Sequence, residues 1–272
     1  MSETGNAFLD RVVAARRRQV EEARVRVPLG ELQEAAERRT DRRDFAAALA
    51  GNSLRVIAEL KRASPSRGLL RRRYRRREIA QAYESGGAAA LSVLTEEQHF
   101  LGSLDDLAEV RKSVRLPVLR KDFIVDGYQV YESAAAGADA LLLIVAALTD
   151  GDLRNHLEIA KRLRMDALVE VHTEEELVRA LAAGAGIIGV NNRNLKTLEV
   201  DLETSLRLRA KIPPNCLAVS ESGIATPAEA RRLADAGYHA VLIGERFMMA
   251  DDPGRELAAL LEGARAFSSS RK

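Results

Sequence analysis

The sequence predicts an α/β fold, a single (β/α)8 barrel of the TIM type with extra N-terminal helices. Three observations predict it. After residue 54, eight short aliphatic runs recur, each followed by a polar loop and an amphipathic stretch long enough for a crossover helix. No break in composition divides them, and 272 residues suit one barrel of about 250 residues better than a small domain. Glycines at Gly86–Gly87, Gly137, Gly184 and Gly237 precede the next run, where a helix needs a left-handed stop. An open doubly wound sheet is the alternative, but eight units is the number of the closed barrel.

The elements follow in order. Residues 1–53 form an N-terminal helical extension. It holds a helix over Arg11–Arg26, with Val12, Val13, Val20 and Val25 among charges, and a short helix over Asp44–Ala50. Both are expected to cap the barrel or border its mouth. Residues 54–266 form the barrel, with strands at Leu54–Leu60, Ala89–Leu94, Pro117–Arg120, Ala140–Ile144, Ala167–Val171, Ile187–Val190, Leu217–Ser220 and Ala240–Ile243. Thr226-Pro-Ala-Glu229 has a cap residue, proline at the first helical position and Glu three residues after the cap, and Thr173-Glu-Glu-Glu176 repeats this box. Residues 267–272 are a frayed tail.

Composition narrows the function. Hydrophobic residues are 46% of the chain, aromatics 4%, and there is no Trp, so Leu, Val, Ile and Ala must build the core. The net charge of +2 argues against a dedicated nucleic-acid binder. The single cysteine, Cys216 in the run CLAV, forms no internal disulfide and reads as a buried strand residue rather than a nucleophile. The N-terminus lacks a secretory apolar region. The longest apolar run, Ala140–Leu148, is about half of a membrane span. The reading is a cytoplasmic protein with no membrane partner.

In such barrels the active site lies at the carboxyl ends of the strands. Glu59 and Lys61 sit two apart on the first run and so face the same side. A buried structural ion pair is the bland alternative. Lys121 falls near the carboxyl end of the third run, Glu170 near that of the fifth, Asn191 and Arg193 near that of the sixth, and Glu221 near that of the seventh. So many charges converging on one mouth suit proton transfers on an anionic substrate. Neighbouring lysines and burial are expected to lower a lysine pKa towards neutrality. Ser222-Gly223 after the seventh run and Gly244-Glu245 after the eighth mark the loops where barrels hold phosphate. Each glycine alone reads as a turn; together, at those two loops, they read as a phosphate cradle.

These residues fall in IAELKRASPSRG, LSVLTEEQHFLGS, PVLRKDFIVDGYQV, LVEVH, IIGVNNRNLKTLEVD, SESGI and LIGERFM. With them the chain resembles the indole-3-glycerol-phosphate synthase family over nearly its whole length. The resemblance implies ring closure, decarboxylation and dehydration of 1-(2-carboxyphenylamino)-1-deoxyribulose 5-phosphate in tryptophan biosynthesis, without metal or organic cofactor. The scattered His99, His156, His172 and His239 agree on the metal. By resemblance, Lys121 is the general acid at the ketone oxygen. Lys61 holds the substrate carboxylate and assists dehydration, Glu170 helps remove the hydroxyl, and Glu59 is the final base. Asn191 positions the anilino and hydroxyl groups. Ser64, Ser222, Gly223, Gly244 and the backbone of Glu245 cradle phosphate, Arg193 and Glu221 orient the catalytic groups, and Phe123 packs on the aromatic ring.

One segment departs from the family. Leu69–Arg77 carries six arginines around Tyr74, where the family has acidic and proline residues. A solvated, mobile basic loop is the plain reading, and an electrostatic funnel for the dianionic substrate is the functional one. Arginine before a helix N-terminus opposes the dipole, so that helix should start weakly. Two rivals remain. A phosphoribosylanthranilate isomerase would want a Cys–Asp pair, and Cys216 lies in the wrong kind of run. A non-catalytic barrel binding sugar phosphate or nucleic acid would have no use for these charges. A monomer is expected.

Overall fold

The computed structural model describes residues 7–194, 197 and 199–269. Three helices come first: α1 (Ala7–Arg26), α2 (Leu29–Glu37) and α3 (Phe45–Leu49). The barrel then runs β1 (Arg55–Leu60), α4 (Arg76–Ser85), β2 (Ala90–Leu94), α5 (Leu104–Ser113), β3 (Val118–Lys121), α6 (Gly127–Ala136) and β4 (Ala140–Ile144). It continues through α7 (Asp150–Arg162), β5 (Asp166–Val171), α8 (Glu174–Ala182), β6 (Ile187–Asn191), α9 (Glu203–Arg209) and β7 (Leu217–Glu221). It ends with α10 (Pro227–Asp235), β8 (Ala240–Ile243), α11 (Glu245–Met249) and α12 (Pro253–Ser269). Each strand pairs in parallel with the next, and β8 closes on β1 through Arg55↔Ala240 to Ala58↔Ile243. The fold is therefore a closed (β/α)8 barrel. α12 includes residues 267–269 of the expected tail, and 270–272 lie outside the described residues.

The strand period of two sorts the core into two shells. Val56, Ala58 and Leu60 face outward with Leu141, Leu143, Val169 and Val171, and pack under the helices. Ile57, Ala90, Leu119, Leu142, Leu168, Val219 and Leu242 fill the interior. A fully buried Leu or Ile stabilises by about 1.5–3 kcal/mol, so these aliphatic layers hold the closed sheet together, with Phe45 and Phe123 in the same cluster.

Local signals account for the helix ends. Gly87, Gly137, Gly184 and Gly237 have φ from 89° to 103°, the left-handed stop that only glycine adopts cheaply. Thr226 and Glu229 form a complete capping box. The second expected box is only half made. Thr173 accepts from Glu176 N, but the Glu176 carboxylate takes the backbone N–H of His172 instead of Thr173.

The N-terminal helices reach both ends of the barrel. On α1, Leu9 and Val12 are buried against the interior cluster, and Arg16 holds Asp122 just past β3 at 2.5 Å. Asp44 caps α3, whose Phe45 and Leu49 plug the opposite end with no exposure. The helix α2 was not expected from the sequence. The arginine segment also differs from a mobile loop. Arg71 donates to the carbonyls of Met248 and Ala250 at 3.2 and 2.8 Å, Tyr74 packs against the core, and Arg76 pairs with Asp106 and with Glu109. The N-cap of α4, Arg75, makes no side-chain cap hydrogen bond.

Candidate active site

The inward face of the barrel turns from apolar to charged in its last layer. Two residues beyond Ile57, Leu119, Leu168 and Val219 stand Glu59, Lys121, Glu170 and Glu221, so alternation alone carries all four to the mouth. Each of these carboxylates is at most 4% exposed. Lys121 Nζ contacts Glu221 Oε2 and lies 3.5 Å from Glu170 Oε2. Lys61 Nζ is 2.9 Å from Glu59 Oε1. Two glycines make room for them. A Cβ at Gly189 would lie 2.2 Å from Glu221 Oε1, and one at Gly244 would lie 2.5 Å from Glu59 Oε1.

Three carboxylates around two ammonium groups set the electrostatics. Burial opposes a charge on Lys121, but Glu221, Glu170 and Glu59 outweigh it and raise its pKa. This corrects the expectation of a lysine lowered towards neutrality: the carboxylates win over desolvation. Burial also opposes the Glu59 anion, and Lys61 with Lys121 overcomes it, leaving Glu59 below the usual carboxylate range. Glu221 goes the other way. Burial dominates, Glu170 and Glu59 repel its charge, and its pKa rises to about 7 despite Lys121.

These groups line one cavity of about 650 Å³. Ser64, Phe123, Asn191, Arg193, Ser222, Gly223, Gly244 and Glu245 share its wall with Glu59, Lys61, Lys121, Glu170 and Glu221. All thirteen residues read from the sequence thus meet in one place. The rim has the geometry of an anion cradle. Ser222 and Gly223 have φ of 67° and 78°, and Gly244 leads into the N-terminus of α11. Asn191 Oδ1 accepts the backbone N–H of Arg193 at 3.0 Å. The Glu245 carboxylate lies 3.0 Å from Arg67 Nε and 3.9 Å from Arg193 Nη2, tying the loops after β1 and β6 together.

With this geometry in view, comparison with known proteins decides the family. The sequence model of indole-3-glycerol phosphate synthase matches residues 9–260. The chain belongs to the indole-3-glycerol phosphate synthase family. An indole-3-glycerol phosphate synthase of Polaromonas naphthalenivorans (strain CJ2) is 50% identical over 257 residues, 93% of this chain and 98% of that one. That of Verminephrobacter eiseniae (strain EF01-2) is 50% identical over 264 residues, covering 94% and 99%. That of Koribacter versatilis (strain Ellin345) is 55% identical over 206 residues, covering 76% and 79%. Among solved structures, a thiamine phosphate pyrophosphorylase from Pyrococcus furiosus shares the barrel with a TM-score of 0.58 at 19% identity, covering 78% of this chain and 96% of that one. At that identity the likeness speaks for the fold alone.

Several residues of the cavity went unread in the sequence of this family member. Phe8 on α1 and Phe100 after β2 line it with Leu142, Ile144 and Arg67. Alternation along β4 would have placed Leu142 and Ile144 inward. Nothing local could place Phe8, which tertiary packing of α1 brings to the mouth with its ring 5.2 Å from His99. The buried Glu96 fixes the loop after β2 by accepting the backbone N–H groups of Gln98, His99 and Phe100. In the family motif after β6, Leu195, Lys196 and Leu198 lie outside the described residues.

Proposed function

We propose that this chain converts 1-(2-carboxyphenylamino)-1-deoxyribulose 5-phosphate into indole-3-glycerol phosphate, carbon dioxide and water. The observation that carries the reading is Lys121, an ammonium held by Glu221 and Glu170 inside the cavity that also offers the anion cradle. A volume of about 650 Å³ falls in the range of small-molecule sites.

Ring closure develops negative charge on the ketone oxygen, and the Lys121 ammonium is the donor that meets it. Because the carboxylates keep Lys121 charged, a donor is ready at neutral pH. Lys61 takes the carboxylate that leaves as carbon dioxide and then assists loss of the hydroxyl. Glu170 helps that hydroxyl depart, and Glu59, held as an anion by two lysines, removes the last proton. Asn191 positions the anilino nitrogen and hydroxyl, while Arg193 and Glu221 orient the groups around them. Phe123 supports the aromatic ring. Ser64, Ser222, Gly223, Gly244 and the backbone of Glu245 hold the phosphate.

We read the working form as a cytoplasmic monomer. Among the described residues no helix is long and apolar enough to cross a membrane. Light scattering on the eluting protein checks the monomer.

The test of the reaction follows indole fluorescence from the purified protein beside Lys121→Ala and Glu170→Gln. Growth with the parent and a loss of roughly 10²–10⁴-fold in both variants is the expected result. No signal from a well-folded parent would overturn the reading.

A further inference from the structure

His172 borders the proposed site without lining it, and the mechanism above leaves it unused. It stands two residues beyond Glu170, just past β5. Its Nε2 is buried without a hydrogen-bond partner and lies 3.5 Å from Glu170 Oε1. Its Nδ1 lies 3.2 Å from Glu176 Oε2, the oxygen that also accepts the His172 backbone N–H at 2.6 Å. Glu176 sits in the first turn of α8, which Thr173 caps. Ring and backbone are thus gripped by one carboxylate on a fixed helix, with the far nitrogen turned towards Glu170.

A carboxylate at Nδ1 keeps the proton there. Nε2 then has a hydrogen to offer Glu170 only when the ring is doubly protonated. The charged groups around the ring favour that state: Glu170 on its own strand, Glu176 from α8 and Glu221 from β7 face it. Lys121 from β3 takes the other oxygen of Glu170. Burial opposes the charge, and the Glu176 hydrogen bond with these carboxylates outweighs it, raising the imidazole pKa.

We infer that His172 is a positioning residue for Glu170: its imidazolium, oriented by Glu176, holds Oε1 and leaves Oε2 to Lys121 and the substrate. This rests on the role proposed above for Glu170. An imidazolium that persists to higher pH loses its proton as pH rises, so its help is lost on the basic side.

The experiment measures kcat and KM against pH for the parent, His172→Asn and Glu176→Gln. With His172→Asn, kcat should fall about 10–100-fold, as when a partner that orients a functional group is lost, with KM little changed, and the part of the basic limb set by the imidazole should disappear. Glu176→Gln keeps the ring but removes a partner that raises its pKa, so the limb should move to lower pH. Loss of activity in parallel with thermal stability, with unmoved limbs, would mark a structural role and overturn the inference, as would parental kcat and profile in both variants. NMR titration of the His172 ring supplies a second readout, independent of turnover. Glu170→Gln should lower the ring pKa, and an unchanged titration overturns the inference. A parent that makes no indole fails the proposed function instead.

Discussion

Glu221 meets two opposed demands. One oxygen contacts Lys121, while the other is buried with no hydrogen-bond partner beside Gly189. Its pKa of about 7 means that the folded chain binds a proton more tightly than the unfolded one. Folding stability from this group is therefore full below the unfolded carboxylate range and is lost as pH rises to about 7. Glu221→Gln cannot titrate. Its thermal midpoint should fall less than the parent's between mildly acidic and neutral pH, and equal slopes in the two proteins would refute the assignment. Gly189 tests the same packing from the other side. A Cβ there would also meet Leu168 Cδ1 at 3.1 Å. Overpacking of this kind costs about 1–3 kcal/mol, so Gly189→Ala should lower stability by that much in urea titrations. Because the Cβ pushes on Glu221, kcat should drop as well.

At the scale of elements, the loop from β1 to α4 shows how a charged stretch becomes fixed. Arg71 does not float. It donates to Met248 and Ala250 at the carboxyl end of α11, where unpaired carbonyls gather. That clamp ties the loop carrying Ser64 and Arg67 to the helix that starts at Glu245. Arg71→Ala should raise KM several-fold and cost about 1–2 kcal/mol, whereas Arg72→Ala, on an exposed side chain, should stay within about 0.5 kcal/mol. Steady-state kinetics with thermal melts separate the two. This loop also marks the limit of what the sequence tells. Its charges are visible, but the partners of Arg71 lie near the other end of the chain and those of Arg76 on α5, so a solvated basic loop is the natural reading of the sequence. The strands were legible because buried parallel strands are short apolar runs, and the charges closing those runs were legible because alternation sends them inward. Phe8, Phe100 and the turning of Glu176 from Thr173 to His172 depend on tertiary packing, which leaves no periodic trace.

For the whole molecule, stability and chemistry are placed at opposite ends, and Asp139 is where the difference can be measured. It lies just before β4, 1% exposed. It accepts from Arg39 Nη2 at 2.8 Å, from Arg43 N at 3.0 Å and from Val118 N at 3.0 Å, and it pairs with Arg111 Nε at 3.0 Å. Arg43 reaches on to Leu116 O at 2.6 Å, and Asp166 at the start of β5 accepts from Ala46 N at 2.9 Å. One carboxylate thus fastens the segment leading into α3 to the barrel floor. Removing it leaves two arginines, each at most 9% exposed in the side chain, without their buried partner. Breaking such a pair costs about 3–5 kcal/mol, far more than a surface ion pair. Asp139→Ala should therefore lower the thermal midpoint by roughly 6–20 °C. The mouth is built at the other ends of the strands by residues that do not touch Asp139. Well below its melting point the variant should accordingly keep kcat within about twofold of the parent. A large loss of kcat in a sample shown to be folded would mean that the floor and the mouth are mechanically coupled.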